Sequence, residues 1–149
     1  MATERDAERV GALMAGFRDH MAKEVPTDQQ MQATIHELLQ DAATEFLLAA
    51  PDGQDEPAGV CQLRYRLTVW TGADDCWLED LFVEARARRG GLGRALIGAA
   101  FERARARGCR RIDLDVNEDN LNALALYREM GFTTEPKPPG RTLYVARRL

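Results

Sequence analysis

The chain has 149 residues, which fits a single domain spanning residues 1–149. Its formal net charge is −4, from 20 basic and 24 acidic residues, which argues against a general nucleic-acid-binding protein. The sequence contains neither an apolar run near the ~20 residues of a membrane span nor a signal peptide, so we expect a cytoplasmic protein without membrane or nucleic-acid partners.

Two helices are predicted at the start of the chain. Residues 7–17 carry apolar side chains at helical spacing. A second helix follows Pro26, where Thr27 or Asp28 can serve as the N-cap. The apolar stripe of this second helix consists of Met31, Ile35, Leu38, Leu39 and Ala42.

Three strands are predicted next, over residues 45–50, 58–70 and 76–83. These segments are rich in β-branched, aromatic and other apolar residues. Polar turns at residues 51–57 and 71–75 separate them.

Helices and strands alternate in the rest of the chain. Gly108 and Gly131 follow the two predicted helices and are typical of helix C-termini. Because helices connect strands in this half, we expect parallel strand pairing there. In chain order the predicted elements are a helix over 92–108, a strand over 110–116, a helix over 120–131, a strand over 132–135, a turn over 137–140 and a strand over 141–149.

Three glycines and four arginines crowd the segment EARARRGGLGRAL, residues 84–96. A glycine-rich turn between a strand and a helix N-terminus presents unpaired backbone N–H groups and the positive end of the helix dipole. Arginines add charge-assisted hydrogen bonds to phosphate oxygens. The pattern therefore indicates a phosphate-bearing ligand, and a pyrophosphate fits it best; a glycine turn without a ligand is the alternative.

The spacing of this segment excludes two common nucleotide-binding motifs. No Gly-Lys-Ser/Thr follows the glycines, as a Walker loop requires. In GGLGRA the third glycine of the dinucleotide fingerprint is displaced, and the segment lies too late in the chain to open the first βαβ unit of that fold.

Two spaced motifs carry a family resemblance. Residues 88–93 read Arg-Arg-Gly-Gly-Leu-Gly and follow the apolar run 81–83, and residues 120–127 read Asn-Leu-Asn-Ala-Leu-Ala-Leu-Tyr. Gly131 and Phe132 come after the second motif. In this order the motifs resemble the acetyl-coenzyme A loop and the later Asn-x-x-Ala-x-x-x-Tyr motif of the GCN5-related N-acetyltransferases (GNAT).

The resemblance implies acetyl-coenzyme A (acetyl-CoA) as the acetyl donor and no metal. The loop would hold the pyrophosphate of coenzyme A, backbone groups of Leu81 and Val83 would bond its pantetheine amides, and Asn120 would contact the pantetheine or an ordered water. The implied cofactor-binding residues are Leu81, Phe82, Val83, Arg88, Arg89, Gly90, Gly91, Leu92, Gly93, Arg94, Asn120 and Ala123.

The fold implied by the resemblance is the α/β GNAT fold. It has a mixed, mostly antiparallel sheet, a splayed parallel strand pair (here 77–83 and 110–116) and flanking helices. Family members usually begin with a strand before the first helix, and here that strand is missing or very short. Relatives are often homodimers, so the resemblance also implies a homodimer.

The segment WLEDLFV, residues 77–83, is most similar to the spermidine/spermine acetyltransferases. There the glutamate of this segment acts as general base, which implies Glu79 as the base, directly or through water, with Asp80 as a substrate-contacting residue. Tyr127 is the implied general acid toward the thiolate leaving group, since a phenol is protonated at neutral pH. The implied acceptor is a primary amine such as a polyamine or diamine.

Plainer interpretations and other functions stay open at this point. Glu79 can be an exposed carboxylate, Tyr127 a core residue and Asn120 a helix N-cap. The acceptor can instead be an amino acid, an aminoglycoside or a protein N-terminus. The chain can also be a non-catalytic domain that binds acyl-coenzyme A and regulates a partner.

Acidic and basic residues separate along the sequence. The arginines of residues 102–111 are predicted to lie on the solvent-exposed face of a helix. Of the basic residues at the end of this segment, Arg107, Arg110 and Arg111 are candidates for the adenosine 3′-phosphate. The acidic residues expected on or near the two strands flanking the site, where they would attract a cationic amine, are Asp74, Asp75, Glu79, Asp80, Asp113 and Asp115.

The cysteines and histidines do not indicate a metal centre. Cys61, Cys76 and Cys109 are odd in number and far apart, unlike a disulfide framework or a zinc site. His20 and His36 are too few for a histidine-rich metal site. We therefore expect reduced thiols and no metal.

Overall fold

The structure is a computed structural model that describes residues 1–133 and Arg147. The chain divides into two compact units, Met1–Asp115 and Val116–Leu149. The predicted turn at 137–140, the second half of the predicted strand 132–135 and, apart from Arg147, the predicted closing strand lie outside the described residues. Phe132 and Thr133, the described residues of strand 132–135, do not form a strand. The single-domain organisation stays a prediction.

A four-stranded mixed sheet is the centre of the first unit. Its strands are β1 (Thr44–Ala49), β2 (Gly59–Thr68), β3 (Ala73–Val83) and β4 (Ile112–Asp113), in the spatial order β1-β2-β3-β4. The first two ladders are antiparallel, and β3 pairs with β4 in parallel. This arrangement confirms the predicted mixed, mostly antiparallel sheet.

The helices of the first unit are α1 (Ala7–His20), α2 (Asp28–Gln40) and α3 (Leu92–Ala106), with 3₁₀ turns at Glu4–Asp6 and Ala85–Ala87. Thr27 is the N-cap of α2, because its side chain accepts a hydrogen bond from the Gln30 N–H. The helix ends at Gln40, so Ala42, which was predicted to belong to its apolar stripe, lies beyond the helix.

Helices cover both faces of the sheet. Phe46 packs with α1 and α2 in an apolar cluster, whereas its neighbour Glu45 reaches Arg103 of α3. Since successive side chains of a strand point to opposite faces, α3 lies on the face opposite α1 and α2. The buried members of the first cluster are Ala2, Ala7, Val10, Leu13, Ile35, Phe46, Val60 and Phe82.

The parallel strand pair is shorter than the sequence predicted. β4 contains only two residues instead of 110–116, and its ladder joins Cys76 to Ile112 and Trp77 to Asp113. Beyond Trp77, β3 continues to Val83 without a partner from β4. The predicted divergence of the two strands therefore begins directly after this short ladder.

No strand precedes α1 in the described part of the chain. The Ala2 N–H donates a 2.7 Å hydrogen bond to the Phe46 carbonyl of β1, which is a single backbone contact at the place where a first strand would pair. The expectation of a missing or very short first strand is thus confirmed for the described residues.

The second unit contains α4 (Leu121–Glu129). The side chain of Asn120 accepts a 3.2 Å hydrogen bond from the Ala123 N–H, so Asn120 is the N-cap. Gly131, at φ +90°, follows the end of the helix as predicted.

Candidate active site

A β-bulge places two carboxylates side by side on β3. Gln62 of β2 pairs with Asp80, and the next residue, Leu63, pairs with Leu78, which leaves Glu79 as the extra residue of β3. Bulges redirect side chains and are common beside active sites. Glu79 is exposed, whereas Asp80 is partly buried.

Asp80 lines a cavity of about 310 Å³ beneath α1 and α2. Apolar side chains form most of its wall, and Asp80 is the one carboxylate among the lining residues that the structure describes. The lining residues are Met14, Phe17, Arg18, Met21, Lys23, Val25, Pro26, Met31, Thr34, Ile35, Leu38, Phe46, Gln62 and Asp80.

The surroundings of Asp80 raise the pKa of its carboxyl group from 3.8 to about 6. Burial is the largest cause, since it disfavours the charged form. The negative charges of Glu79 and Asp115 raise the pKa further, and the positive charge of Lys23 lowers it. A carboxylate with this pKa is mostly ionised at neutral pH and still able to accept a proton.

The glycine segment leads directly into α3. Gly91 is the N-cap of α3 in the left-handed conformation, at φ +85°, and Arg89 is also left-handed, at φ +64°. None of the described side chains caps this helix, and its first turn contains no acidic residue. The start of α3 and its positive dipole end thus have no side-chain cap and no acidic residue in the first turn, and binding of an anion there stays a prediction.

The arginines of the loop differ in what they contact. Arg88 donates a 3.0 Å hydrogen bond from Nε to the Val83 carbonyl, and its guanidinium carbon lies 6.0 Å from the centre of the Phe82 ring. Arg89 and Arg94 are exposed. The carbonyl is one of the Val83 backbone groups predicted to bond pantetheine, and in this structure it accepts a hydrogen bond from Arg88.

The apolar residues of the predicted cofactor site fix the loop to the core. Leu92 is buried in a cluster with Ala58 and Ala87, against which Val83 packs. Phe82 belongs to the cluster under α1 and α2, and Leu81 is partly buried. The side chains of Leu92 and Phe82 therefore have packing roles, and contact of these residues with a cofactor stays a prediction.

The predicted residues of the second unit are all on or next to α4. The sequence analysis considered Asn120 as a possible helix N-cap, and the structure shows this role, because its side chain accepts a hydrogen bond from the Ala123 N–H. Tyr127 is 8% exposed, and its ring packs edge-on against Phe132 with centroids 5.6 Å apart. The structure thus supports a packing role for this ring, and its catalytic role stays a prediction.

The sequence predicted the wrong surroundings for several charged residues. Arg103 of α3 donates two hydrogen bonds, at 2.8 and 2.7 Å, to buried Glu45, and Arg107 also reaches this carboxylate. Arg111 pairs with Asp75 at 2.6 Å and with Asp113 at 2.7 Å. Arg103 and Arg107 therefore do not lie on a purely solvated face, and Arg107 and Arg111 are engaged by carboxylates rather than free for a 3′-phosphate.

Neither a metal centre nor a membrane span is found in the described residues. Within residues 1–133 and Arg147, no group of three or more His, Cys, Asp and Glu side chains could hold a metal ion. Among the described helices, none combines the length and apolar character that crossing a membrane requires. All three cysteines are free.

Comparison with known proteins identifies related sequences. A model of the acetyltransferase (GNAT) family matches residues 5–132. The thialysine N-epsilon-acetyltransferase of Caenorhabditis elegans is 35% identical over 86 residues, which cover 58% of this chain and 53% of that enzyme. The aminoglycoside N(6′)-acetyltransferase type 1 of Stenotrophomonas maltophilia is 29% identical over 108 residues, covering 70% and 69%. The chain thus spans about half the length of the first of these relatives.

Solved structures share the fold at low identity. The aminoglycoside N-acetyltransferase AAC(6′)-Iy in complex with CoA has a TM-score of 0.78 at 21% identity, covering 99% of this chain and 92% of that one. The ribosomal-protein-alanine N-acetyltransferase of Brucella melitensis has a TM-score of 0.76 at 22% identity, covering 99% and 96%.

Proposed function

Since the chain belongs to the GNAT family of acetyltransferases, we propose that it is an N-acetyltransferase that takes the acetyl group from acetyl-CoA and transfers it to a primary amine. The observation that carries the proposal is that β3 contains Asp80 and leads directly into the glycine-rich loop. Asp80 lies three residues before Val83, about 10 Å along a strand, and the anion-binding loop follows. The proposed proton acceptor would thus lie on β3, and the proposed phosphate-binding loop would follow the end of the same strand.

The loop residues fit coenzyme A by their chemistry. N–H groups at the start of α3 would bind the pyrophosphate, with Arg88, Arg89 and Arg94 adding positive charge. The Val83 carbonyl accepts one hydrogen bond from Arg88 and has a second lone pair that a pantetheine N–H would use. We include Gly90, Gly93, Asn120 and Ala123 in the proposed cofactor site on the strength of the resemblance.

The carboxylates of the bulge would prepare the amine. An alkyl ammonium has a pKa near ~10.4, so it must lose a proton before its nitrogen can form a bond to the acetyl carbon. The resemblance assigns this proton to Glu79. The cavity position and raised pKa of Asp80 favour Asp80 as the ammonium contact and first proton acceptor.

Bound acetyl-CoA supplies an activated acetyl group, and Tyr127 is the proposed donor of a proton to the departing sulfur. Replacing Tyr127 with Phe retains the ring that packs on Phe132 and removes the hydroxyl. We expect kcat to fall while the affinity for coenzyme A stays nearly unchanged. An unchanged kcat under conditions where chemistry limits turnover would exclude Tyr127 as the acid.

The finer assignments of acceptor, assembly and location are proposals as well. The WLEDLFV segment favours a polyamine or diamine, and an amino acid, an aminoglycoside or a protein N-terminus are the alternatives. We also propose a cytoplasmic homodimer, which sedimentation equilibrium at micromolar concentration would test. A non-catalytic acyl-coenzyme A-binding domain would bind the cofactor without amine-dependent thiol release.

The deciding experiment measures coenzyme A binding by calorimetry and thiol release from acetyl-CoA with a panel of amines. Gly91→Asp places a β-carbon at φ +85° and a negative charge where the pyrophosphate would bind, so affinity should fall at least tenfold. Gly98→Asp is the matched control, because Gly98 lies in the same helix with open space around it. Equal affinities in two folded variants would overturn the loop assignment.

A further inference from the structure

The charge balance of the cavity beneath α1 and α2 limits what can bind there. Arg18, Lys23 and Asp80 are its charged lining residues among those described, which gives two cations and one carboxylate. Arg18 is engaged by Asp19 and Asp28, each at 2.6 Å. Among its described lining residues the cavity therefore offers one carboxylate to a cation, Asp80, and the positive charge of Lys23 acts on that carboxylate.

The walls offer an extended apolar surface. Nine of the fourteen lining residues are apolar: Met14, Phe17, Met21, Val25, Pro26, Met31, Ile35, Leu38 and Phe46. Three of them are methionines, whose unbranched thioether side chains adapt to apolar ligands of different shape. The volume of about 310 Å³ is at the small end of the range for small-molecule sites.

From this composition, and on the basis of the acetyltransferase function proposed above, we propose that the acceptor is a primary monoamine with an apolar body. Its ammonium group would contact Asp80, and its body would lie among the methionines and Phe17. An apolar body gains free energy by leaving water. This class of acceptor differs from the polyamine that the sequence resemblance favoured.

Polycationic and polyhydroxylated acceptors fit this cavity less well. A second ammonium group inside the cavity would lie among apolar side chains, and the described lining residues offer it no second carboxylate. An unpaired charge or hydroxyl moved from water into apolar surroundings loses free energy. Spermidine and aminoglycosides carry several such groups, whereas a monoamine carries only the one that Asp80 can pair.

The test compares two amines that differ in one end group, hexylamine and 1,6-diaminohexane, at pH 8, where Asp80 is ionised. We expect kcat/KM to be at least tenfold higher for hexylamine. Equal values, or a preference for the diamine, would overturn the proposal. Met21→Glu adds a carboxylate to the cavity wall at a residue that is 40% exposed, and it should shift the preference toward the diamine. Leu67→Glu, an exposed site outside the cavity, is the control.

A binding measurement separates this proposal from the acetyltransferase function. Met14, Met21 and Met31 line the cavity, whereas Met1 and Met130 do not. With ¹³C-methyl-labelled methionine, hexylamine should shift the first three NMR signals and leave the other two in place. If hexylamine shifts these signals at a lower concentration than 1,6-diaminohexane does, and no amine is acetylated, the acetyltransferase function fails and the preference of the cavity for a monoamine stands. If amines are acetylated but saturating hexylamine moves none of the three signals, the cavity proposal fails.

Discussion

Two carboxylates of the same sheet, Glu45 and Asp80, have opposite environments. Glu45 lies on the α3 face and is 7% exposed, and its oxygens accept hydrogen bonds from Arg103 and from the Tyr65 hydroxyl. Asp80 faces the cavity on the other side, and within the described residues its side chain forms no hydrogen bond or ion pair. The pKa of Glu45 is lowered, chiefly by its hydrogen bond with Arg103, and that of Asp80 is raised, chiefly by burial.

The difference shows that pairing, rather than burial alone, decides what a carboxylate can do. Glu45 is compensated: Arg107 approaches it at 3.4 Å and also stacks 4.0 Å from the centre of the Tyr65 ring. Such a group holds α3 against the sheet and has no capacity left for a ligand. Asp80 has free acceptor capacity among the described residues and a pKa raised to about 6, which are the properties expected of a functional group.

Replacing Asp80, the unpaired carboxylate, with Asn should have the largest effect, and it acts on kcat/KM. The amide cannot accept the proton, so kcat/KM should fall by about 10²–10⁴-fold. In the wild type, kcat/KM should rise as the pH increases through about 6, where Asp80 becomes ionised. This acidic limb of the pH profile should be absent in the variant. Initial rates of thiol release between pH 5 and 9 measure both effects.

Glu79→Gln distinguishes the two carboxylates of the bulge. If Asp80 is the base, Glu79→Gln should retain a pH limb, displaced to lower pH because one of the charges that raise the Asp80 pKa is gone. If Glu79→Gln loses the limb and Asp80→Asn keeps it, the base is Glu79, as the resemblance implied. Glu102→Gln, at an exposed residue of α3, controls for the loss of one negative charge.

Glu45 is the paired carboxylate of the comparison, and replacing it with Gln should destabilise the fold. The variant leaves Arg103 and Arg107 without their carboxylate, and both can turn partly toward water, so we expect a loss of about 1–3 kcal/mol in the free energy of unfolding. Urea unfolding at pH 7 measures it, with Glu102→Gln as the control at under about 0.5 kcal/mol. Coenzyme A affinity should not change, and a tenfold loss would contradict the purely structural role.

The sequence was sufficient for most of the fold because its periodicities reflect local burial. The apolar stripes and the glycines after α3 and α4 correctly predicted the helices, and the alternation of helices and strands correctly predicted the parallel pairing of β3 with β4. Strand 110–116 was predicted too long, because alternation at Ile112 and Leu114 does not reveal that the chain leaves the ladder after Asp113. The bulge at Glu79 and the pairing of Arg103 with Glu45 depend on contacts between residues distant in sequence, so neither could be read from local patterns.

The smallest expected effect concerns the stability cost of leaving Asp80 unpaired. Its pKa is raised from 3.8 to about 6 in the folded chain, so between these values the native state binds more protons than the unfolded state. The free energy of unfolding therefore falls as the pH rises from about 4 to about 6, and the full cost is present at neutral pH. Asp80→Asn removes the charge, and it should stabilise the protein at pH 7 by on the order of 1 kcal/mol, reduced by partial exposure to solvent. At pH 4 the difference between variant and wild type should be small. Urea unfolding at both pH values measures the effect, and a variant less stable than the wild type at pH 7 would show that Asp80 is compensated in solution, as Glu45 is.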